Sequence, residues 1–285
     1  MLRKTTATLK TLAIASLVLV SSRIFAADES PWLLNTNVTE AAAVRLVHIH
    51  YVIVDRFGKV ERATDGSAFL LDGQHAITAA HVVREAFEHH EPIMVQVGAM
   101  RSGNYLTTAK VERIDFRRDL AMLLVNTYSL IPNPQNAEES LLVPGAPELD
   151  KNPARVCSSR VPAGSQYALG GLAKESTGNA GEIEFHWIPQ KFDAVLDMTT
   201  LPKLTSDSQI PNWNWHPGDP VLVLAVSANE GDSGGAVLSI DGCLMGITSA
   251  RATIPYHDVS ARTVTLAVPI STGDPFLKGT KAGQP

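Results

Sequence analysis

Short apolar runs rich in β-branched residues, each closed by a turn signal, recur from residue 44 to residue 270. VRLVHIHYVIVD (44–55) ends at the turn RFGK, and GSAFLLDGQHAITAA (66–80) is two apolar runs around DGQ, the pattern of a hairpin. PIMVQV, YLTTAKVERI and LAMLLV continue the series, and only HVVREAFEHH (81–90) reads as a helical turn or two. This spacing predicts antiparallel barrels or a sandwich, not alternating βα units. With 20 Gly and 17 Pro against 6% aromatic residues, the composition also favours many short elements over a few long helices.

Residues 131–153, IPNPQNAEESLLVPGAPELDKNP, hold five prolines and little periodicity, and read as a linker. Strand-like runs resume after it in QYALGG, GEIEFHWIPQKFDAVLDM, PVLVLAVS, GGAVLSI, CLMGITSA and TVTLAVPI. Strands, linker, strands is the outline of two similar barrels. The expected organisation is an N-terminal extension over 27–43, a first β-barrel over 44–130, a linker over 131–154, and a second β-barrel with a C-terminal tail over 155–285.

Residues 1–26 read as an export signal: Arg3, Lys4 and Lys10 precede the apolar TLAIASLVLV, and small residues offer cleavage after Ala26 or Ala27. That apolar core is about half of what spans a bilayer as a helix, so no stable membrane insertion is expected once it is removed. Residues 1–26 hold four basic residues and no acidic one. Without them the 24 Lys and Arg fall to 20 against 29 Asp and Glu, a net charge of −9. Nucleic acid and anionic membrane are therefore excluded as main partners. The expected location is periplasmic or extracellular, where a disulfide persists. Cys157 and Cys243, 86 residues apart, either pair there or stand as two buried thiols.

EGDSGGAV (230–237) places a serine between an aspartate and two glycines, ahead of an apolar run. It is a surface turn, or a nucleophile on a turn whose N–H groups stay free for an oxyanion. Two further motifs favour the second reading. HAITAAHVV puts His81 where a strand breaks into a helical turn, and RRDLAMLLV puts Asp119 at the start of an apolar strand, a poor place for a lone carboxylate. The order His81, Asp119, Ser233 has spacings of 38 and 114 residues. A serine hydroxyl needs a neutral imidazole to take its proton, and the imidazole needs a carboxylate to hold its tautomer. Glycines beside Ser233 let the N–H groups of Gly231 and Ser233 converge on developing negative charge.

With TAAHV, DLAML and GDSGG in this order, the chain resembles the chymotrypsin/trypsin-like serine peptidases from about Val44 to Ile270. GSAFLLDGQHAITAAHVV and TLAVPIS are most similar to bacterial members, including the protease domains of the HtrA type, here expected without the PDZ domain those proteins carry. The resemblance implies an all-β fold of two antiparallel six-stranded barrels with the site in the cleft between them. It implies that His81 is general base and acid, Asp119 its orienter, Ser233 the nucleophile, and Gly231 and Ser233 the oxyanion donors. The implied activity is endopeptidase on protein or peptide substrates, with no cofactor.

By the same resemblance Ser227, six residues before Ser233, floors the specificity pocket, and the backbone of Ser249 pairs with substrate. Ser227 is neutral, and Arg251 stands where the family usually has a glycine, either narrowing the rim or turning outward to solvent or Glu230. Cleavage after small or medium uncharged residues is expected. No IVGG-type segment precedes Val44, so Asp232 needs another partner than a freed N-terminus.

Other readings were open. GDSGG also fits the nucleophile elbow of α/β-hydrolases, hence an esterase, but that elbow needs a helix next and an Asp or Glu and then a His downstream; the strand-like GGAVLSI follows, and His257 is the one later histidine. A protease fold that only binds is a second alternative. His48 and His50 share a strand face at chelating spacing, and His89 and His90 adjoin Glu88 and Glu91, yet no third ligand stands at a zinc-like spacing, so no metal is expected. WNWHPGDP (213–220) lines the substrate groove or packs as a loop.

Overall fold

The computed structural model describes residues 42, 45–54, 56–57, 59–97, 105–126, 128–133, 136–144, 152–158, 166–174, 183–185, 188–197, 219–224, 228–256 and 259–283. The export signal, Ser227, His257 and residues 213–218 lie outside them. Among the described residues no helix is long and apolar enough to cross a membrane.

The first barrel takes its strands from the runs that end in turn residues: β1 (Leu46–Val54), β2 (Val60–Leu70), β3 (His75–Ala79), then helix α1 (Ala80–His89), β4 (Ile93–Val97), β5 (Tyr105–Asp115) and β6 (Leu120–Val125). All pairings are antiparallel in the order β4-β1-β2-β3-β6-β5, and a further pairing of β4 with β5 closes the six strands on themselves. Residues 131–154, expected as a linker, instead contribute to a hairpin of β7 (Tyr128–Asn133) and β8 (Asn136–Pro144), which attaches to β5 through Leu106 and Leu130. Pro144 is tolerated at the end of β8, an edge strand whose far side needs no donor.

The second half supplies β9 (Gln166–Gly170), β10 (Leu172–Lys174), β11 (Ile183–Phe185), β12 (Ile188–Asp197), β13 (Pro220–Leu224), β14 (Ala236–Ser239), β15 (Leu244–Tyr256) and β16 (Val259–Pro269). Six of these close as the barrel β12-β13-β16-β15-β14-β9, and β10 and β11 form a separate two-stranded ribbon. Cys157 and Cys243 form a disulfide with their Cα atoms 5.2 Å apart, which settles the choice the sequence left open.

The strand period of two explains the core. Ala121 and Leu123 of β6 point into the first barrel with Val47, Ile49, Ala68 and Leu70. Leu120 and Met122 point the other way and join Phe69, Ile77, Leu238, Leu244, Ile247 and Val268 in a cluster shared by both barrels. Burial on both faces over residues 120–123 requires a continuous apolar run, and LAML is one; Leu124 beyond it is exposed. The second barrel packs its interior around Tyr167, Leu169, Leu222, Leu224 and Val237.

The residues after Ile270, expected as a tail, form a strap. Phe276 and Leu277 are buried in the shared cluster. Arg118 grips Asp274 with contacts of 2.9 and 2.5 Å, Arg113 donates to the carbonyls of Phe276 and Lys278, and the Lys281 N–H donates to Asp72. Polar anchors at both ends of an apolar pair hold this segment against the first barrel.

Candidate active site

β3 ends at Ala79 and α1 starts at Ala80, which leaves the first N–H groups of the helix without helical acceptors. Ala79 has no side chain that caps them. Asp119, from the turn before β6, supplies the acceptors: its carbonyl takes the Ala80 N–H at 3.1 Å and its Oδ1 takes the His81 N–H at 2.8 Å. Its other oxygen, Oδ2, lies 2.8 Å from His81 Nδ1. One carboxylate therefore caps the helix and holds the ring, while only 2% exposed. Asp119 has φ +57°, a left-handed conformation that non-glycine residues adopt only where surroundings enforce it.

The enforcement is visible. Asp115 Oδ1 accepts the N–H groups of Arg117 and Arg118, closing the turn. The two guanidiniums then reach outward: Arg117 pairs with Asp219 through two nitrogens and Arg118 with Asp274. Sequence reasoning had used neither arginine. Ser249 also appears in an unforeseen place. The register of β15 against β16 shifts between Thr248 and Ala250, so Ser249 is the extra residue of a bulge. The bulge aims its hydroxyl at Asp119 Oδ2, to which it donates a short hydrogen bond.

Ser233 sits on a turn with Gly231 at φ +94° and Gly234 at φ +86°. A Cβ on Gly234 would lie 2.0 Å from the Ser67 carbonyl oxygen and 2.2 Å from Thr78 Oγ1, so the backbone of this turn lies directly on β2 and β3. Ser67 fastens it twice, its N–H donating to the Ser233 carbonyl at 2.8 Å and its hydroxyl to the Gly231 carbonyl at 2.7 Å. Gly234 N–H donates to Thr248 on β15. Ser67 is fully buried and was missed in the sequence; a serine between DG and an apolar run carries no signal of a partner 166 residues away.

Among the described residues the N–H groups of Gly231 and Ser233 have no acceptor within the protein. Asp232, 3% exposed, accepts the Asn229 N–H at 2.7 Å through Oδ2, so its own turn supplies a partner. Gly171 makes room for it: a Cβ there would stand 2.5 Å from Asp232 Oδ1.

His81 and Ser233 line one cleft of about 350 Å³ between the barrels. Ser249, Ala250, Arg251, Asn229 and Glu230 border it from the second barrel, and Thr64, Asp65 and Val82 from the first. Of the two specificity residues that are described, Ser249 turns its side chain to Asp119 and Arg251 lies on the cleft wall; Ser227 is outside the described residues. His48 and His50 meet at Asp65, and Glu91 accepts the Tyr51 hydroxyl at 2.6 Å. His90 is the left-handed C-cap of α1. Among the described residues no group of three His, Cys, Asp or Glu stands at metal-binding geometry. Strand β14, not a helix, follows the Ser233 turn, so the α/β-hydrolase elbow is excluded.

The family described as trypsin-like peptidase domain matches residues 66–247. The chain belongs to the trypsin-like peptidases. The match begins at the strand that fastens the Ser233 turn and ends on β15, so it contains His81, Asp119 and Ser233. The active form of the Rv3671c protease from M. tuberculosis is similar, at a TM-score of 0.57 and 19% identity, over 90% of this chain and 89% of that one. Its inactive form gives 0.51 and 17%, over 84% and 90%. Deg5 gives 0.52 and 16%, over 85% and 90%. These likenesses concern the fold. No curated protein matches the chain.

Proposed function

We propose that this trypsin-like peptidase is an exported serine endopeptidase in which His81, Asp119 and Ser233 act as a triad. The observation that carries the reading is the cleft that His81 shares with Ser233, with His81 held at Nδ1 by a buried carboxylate. Asp119 keeps the proton on Nδ1, which leaves Nε2 to accept. As Ser233 Oγ bonds to the carbonyl carbon of the substrate, its proton passes to His81 Nε2. The carbonyl oxygen becomes an oxyanion, and the N–H groups of Gly231 and Ser233 donate to it. His81 then gives the proton to the nitrogen of the breaking C–N bond, and the amine leaves an acyl-enzyme on Ser233. Water repeats the sequence and restores the hydroxyl.

The Asn229 N–H on Asp232 supports activity without a freed N-terminus. The basic, then apolar, then small-residue pattern of 1–26 supports periplasmic or extracellular location, and the Cys157–Cys243 bridge agrees with it. The deciding experiment is a peptide-library digest with the protein lacking residues 1–26, beside Ser233→Ala and a fluorophosphonate probe. Cleavage and labelling of Ser233, both absent from the variant, are expected. Equal cleavage by Ser233→Ala would end the reading.

A further inference from the structure

Four histidines of the first barrel have aspartate partners, and two of them share Asp65, which lies on the cleft wall with no part in the chemistry above. His50 and Asp65 face each other across β1 and β2, with His50 Nδ1 2.6 Å from Asp65 Oδ1. His48, two residues away and so on the same strand face, brings Nε2 to 3.4 Å from that oxygen. Asp65 lines the cleft with Thr64, His81 and Val82. Its place relative to Ser233 is rigid, since Ser67, two residues on, holds the Ser233 turn by backbone and hydroxyl.

His81 must hand its proton to the departing amine, so the amine half of a substrate leaves on the side of His81. The first-barrel residues beside it there are Val82, Thr64 and Asp65, while Arg251 stands on the second-barrel wall. We propose that Asp65, backed by His48 and His50, selects a basic side chain on the residue that follows the scissile bond. This rests on the peptidase reading. The carboxylate is 28% exposed, near enough to solvent to meet a substrate and dry enough to hold a charge contact.

The surroundings leave Asp65 as the charge that counts. Opposite His50 and His48 on β4 stand Met94 and Gln96, both uncharged. Arg62 of β2 is paired with Glu85 of α1. The ribbon strand β10, which packs on β1 and β2, carries one charged residue, Lys174. Among the described residues the other charged or titratable groups of the cleft are His81, Glu230 and Arg251.

The test uses internally quenched peptides that differ only after the scissile bond, with Lys, Ala or Glu there. Attraction of Lys and repulsion of Glu, each worth about threefold in a half-exposed setting, predict a Lys:Glu ratio in kcat/KM of about tenfold at about pH 8. Asp65→Asn should bring it within about twofold of one. A wild-type ratio near one at pH 8, or one unchanged in Asp65→Asn, overturns the assignment. A chain that cleaves no peptide strikes the peptidase reading instead; fluorescence anisotropy of the same peptides with the wild type and Asp65→Asn then decides Asp65, and equal affinity for Lys and Glu peptides in the wild type would end it.

Discussion

The two ends of β3 carry the same pair of side chains and use it differently. At one end His75 Nδ1 lies 2.9 Å from Asp72 Oδ1; just past the other, His81 Nδ1 lies 2.8 Å from Asp119 Oδ2. Both aspartates are 2% exposed. The difference lies in the remaining contacts. Asp72 is filled by the N–H groups of Gln74, His75 and Lys281, which tie a hairpin turn to the C-terminal strap. The far nitrogen of His75 stands 4.0 Å from Glu112. Asp119 holds a helix start and the Ser249 hydroxyl, and its histidine lines a cleft with a serine. A buried His–Asp pair is a device for orienting a ring. What the second ring nitrogen meets decides whether the device does chemistry.

Exchanging the histidines gives the largest contrast. His81→Ala should lower kcat on a cleaved peptide by about 10⁴–10⁶, the loss that the proposed triad requires. His75→Gln should leave kcat within about threefold while lowering the unfolding midpoint. Equal losses from both would erase the distinction.

The aspartates sharpen it. Asp119→Asn should lower kcat by about 10⁴, because the amide presents a donor to Nδ1 and turns the tautomer. Asp72→Asn should act on stability alone, at about 1–3 kcal/mol in urea unfolding, since the backbone donors lose a charged acceptor. A fall in kcat of a hundredfold or more in Asp72→Asn would show that the strap governs the cleft.

Ser249→Ala removes one donor from Asp119 and leaves His81 in place, so kcat should fall about tenfold with KM little changed. A change confined to KM would instead make Ser249 a substrate contact, as the resemblance implied for its backbone.

The smallest effect is a pH dependence at Asp72. Burial pushes its carboxyl up, but the hydrogen bonds from the Lys281, Gln74 and His75 backbones and from the His75 ring outweigh burial and hold it below the ordinary carboxylate range. A carboxyl held low in the folded state contributes stability that is whole above about pH 4, where the unfolded carboxyl titrates, and is lost as pH falls through the folded value. The stability gap between wild type and Asp72→Asn should therefore shrink between about pH 5 and pH 2. A gap that widens with acid would reverse the sign assigned to this group.

Much of this architecture was legible as pattern. The strand at 120–125 is apolar at successive positions where residues 120–123 are buried on both faces, and that run is visible in LAMLLV, although its Leu124 is exposed. The β7–β8 hairpin was not legible, because the prolines of 131–154 mask strand pattern at an edge. The strap was not legible either, since Phe276 and Leu277 are two isolated apolar residues whose burial comes from the cluster that both barrels build.

By itself the sequence determined the all-β class, the trypsin-like motifs and the order in which His81, Asp119 and Ser233 occur, because strand period and motif spacing are properties of neighbours along the chain. It also placed Cys157 and Cys243 but left their bond undecided, since bonding depends on distance. Tertiary structure alone decided that the two are bonded, that Ser67 pins the Ser233 turn, and that a bulge turns Ser249 toward Asp119. It alone separated His81 from His75, two histidines on one strand and its helix, each with an aspartate. The physical reason is the same throughout: a polar side chain takes its role from the donors, acceptors and solvent that meet it, and those arrive from segments remote in the chain.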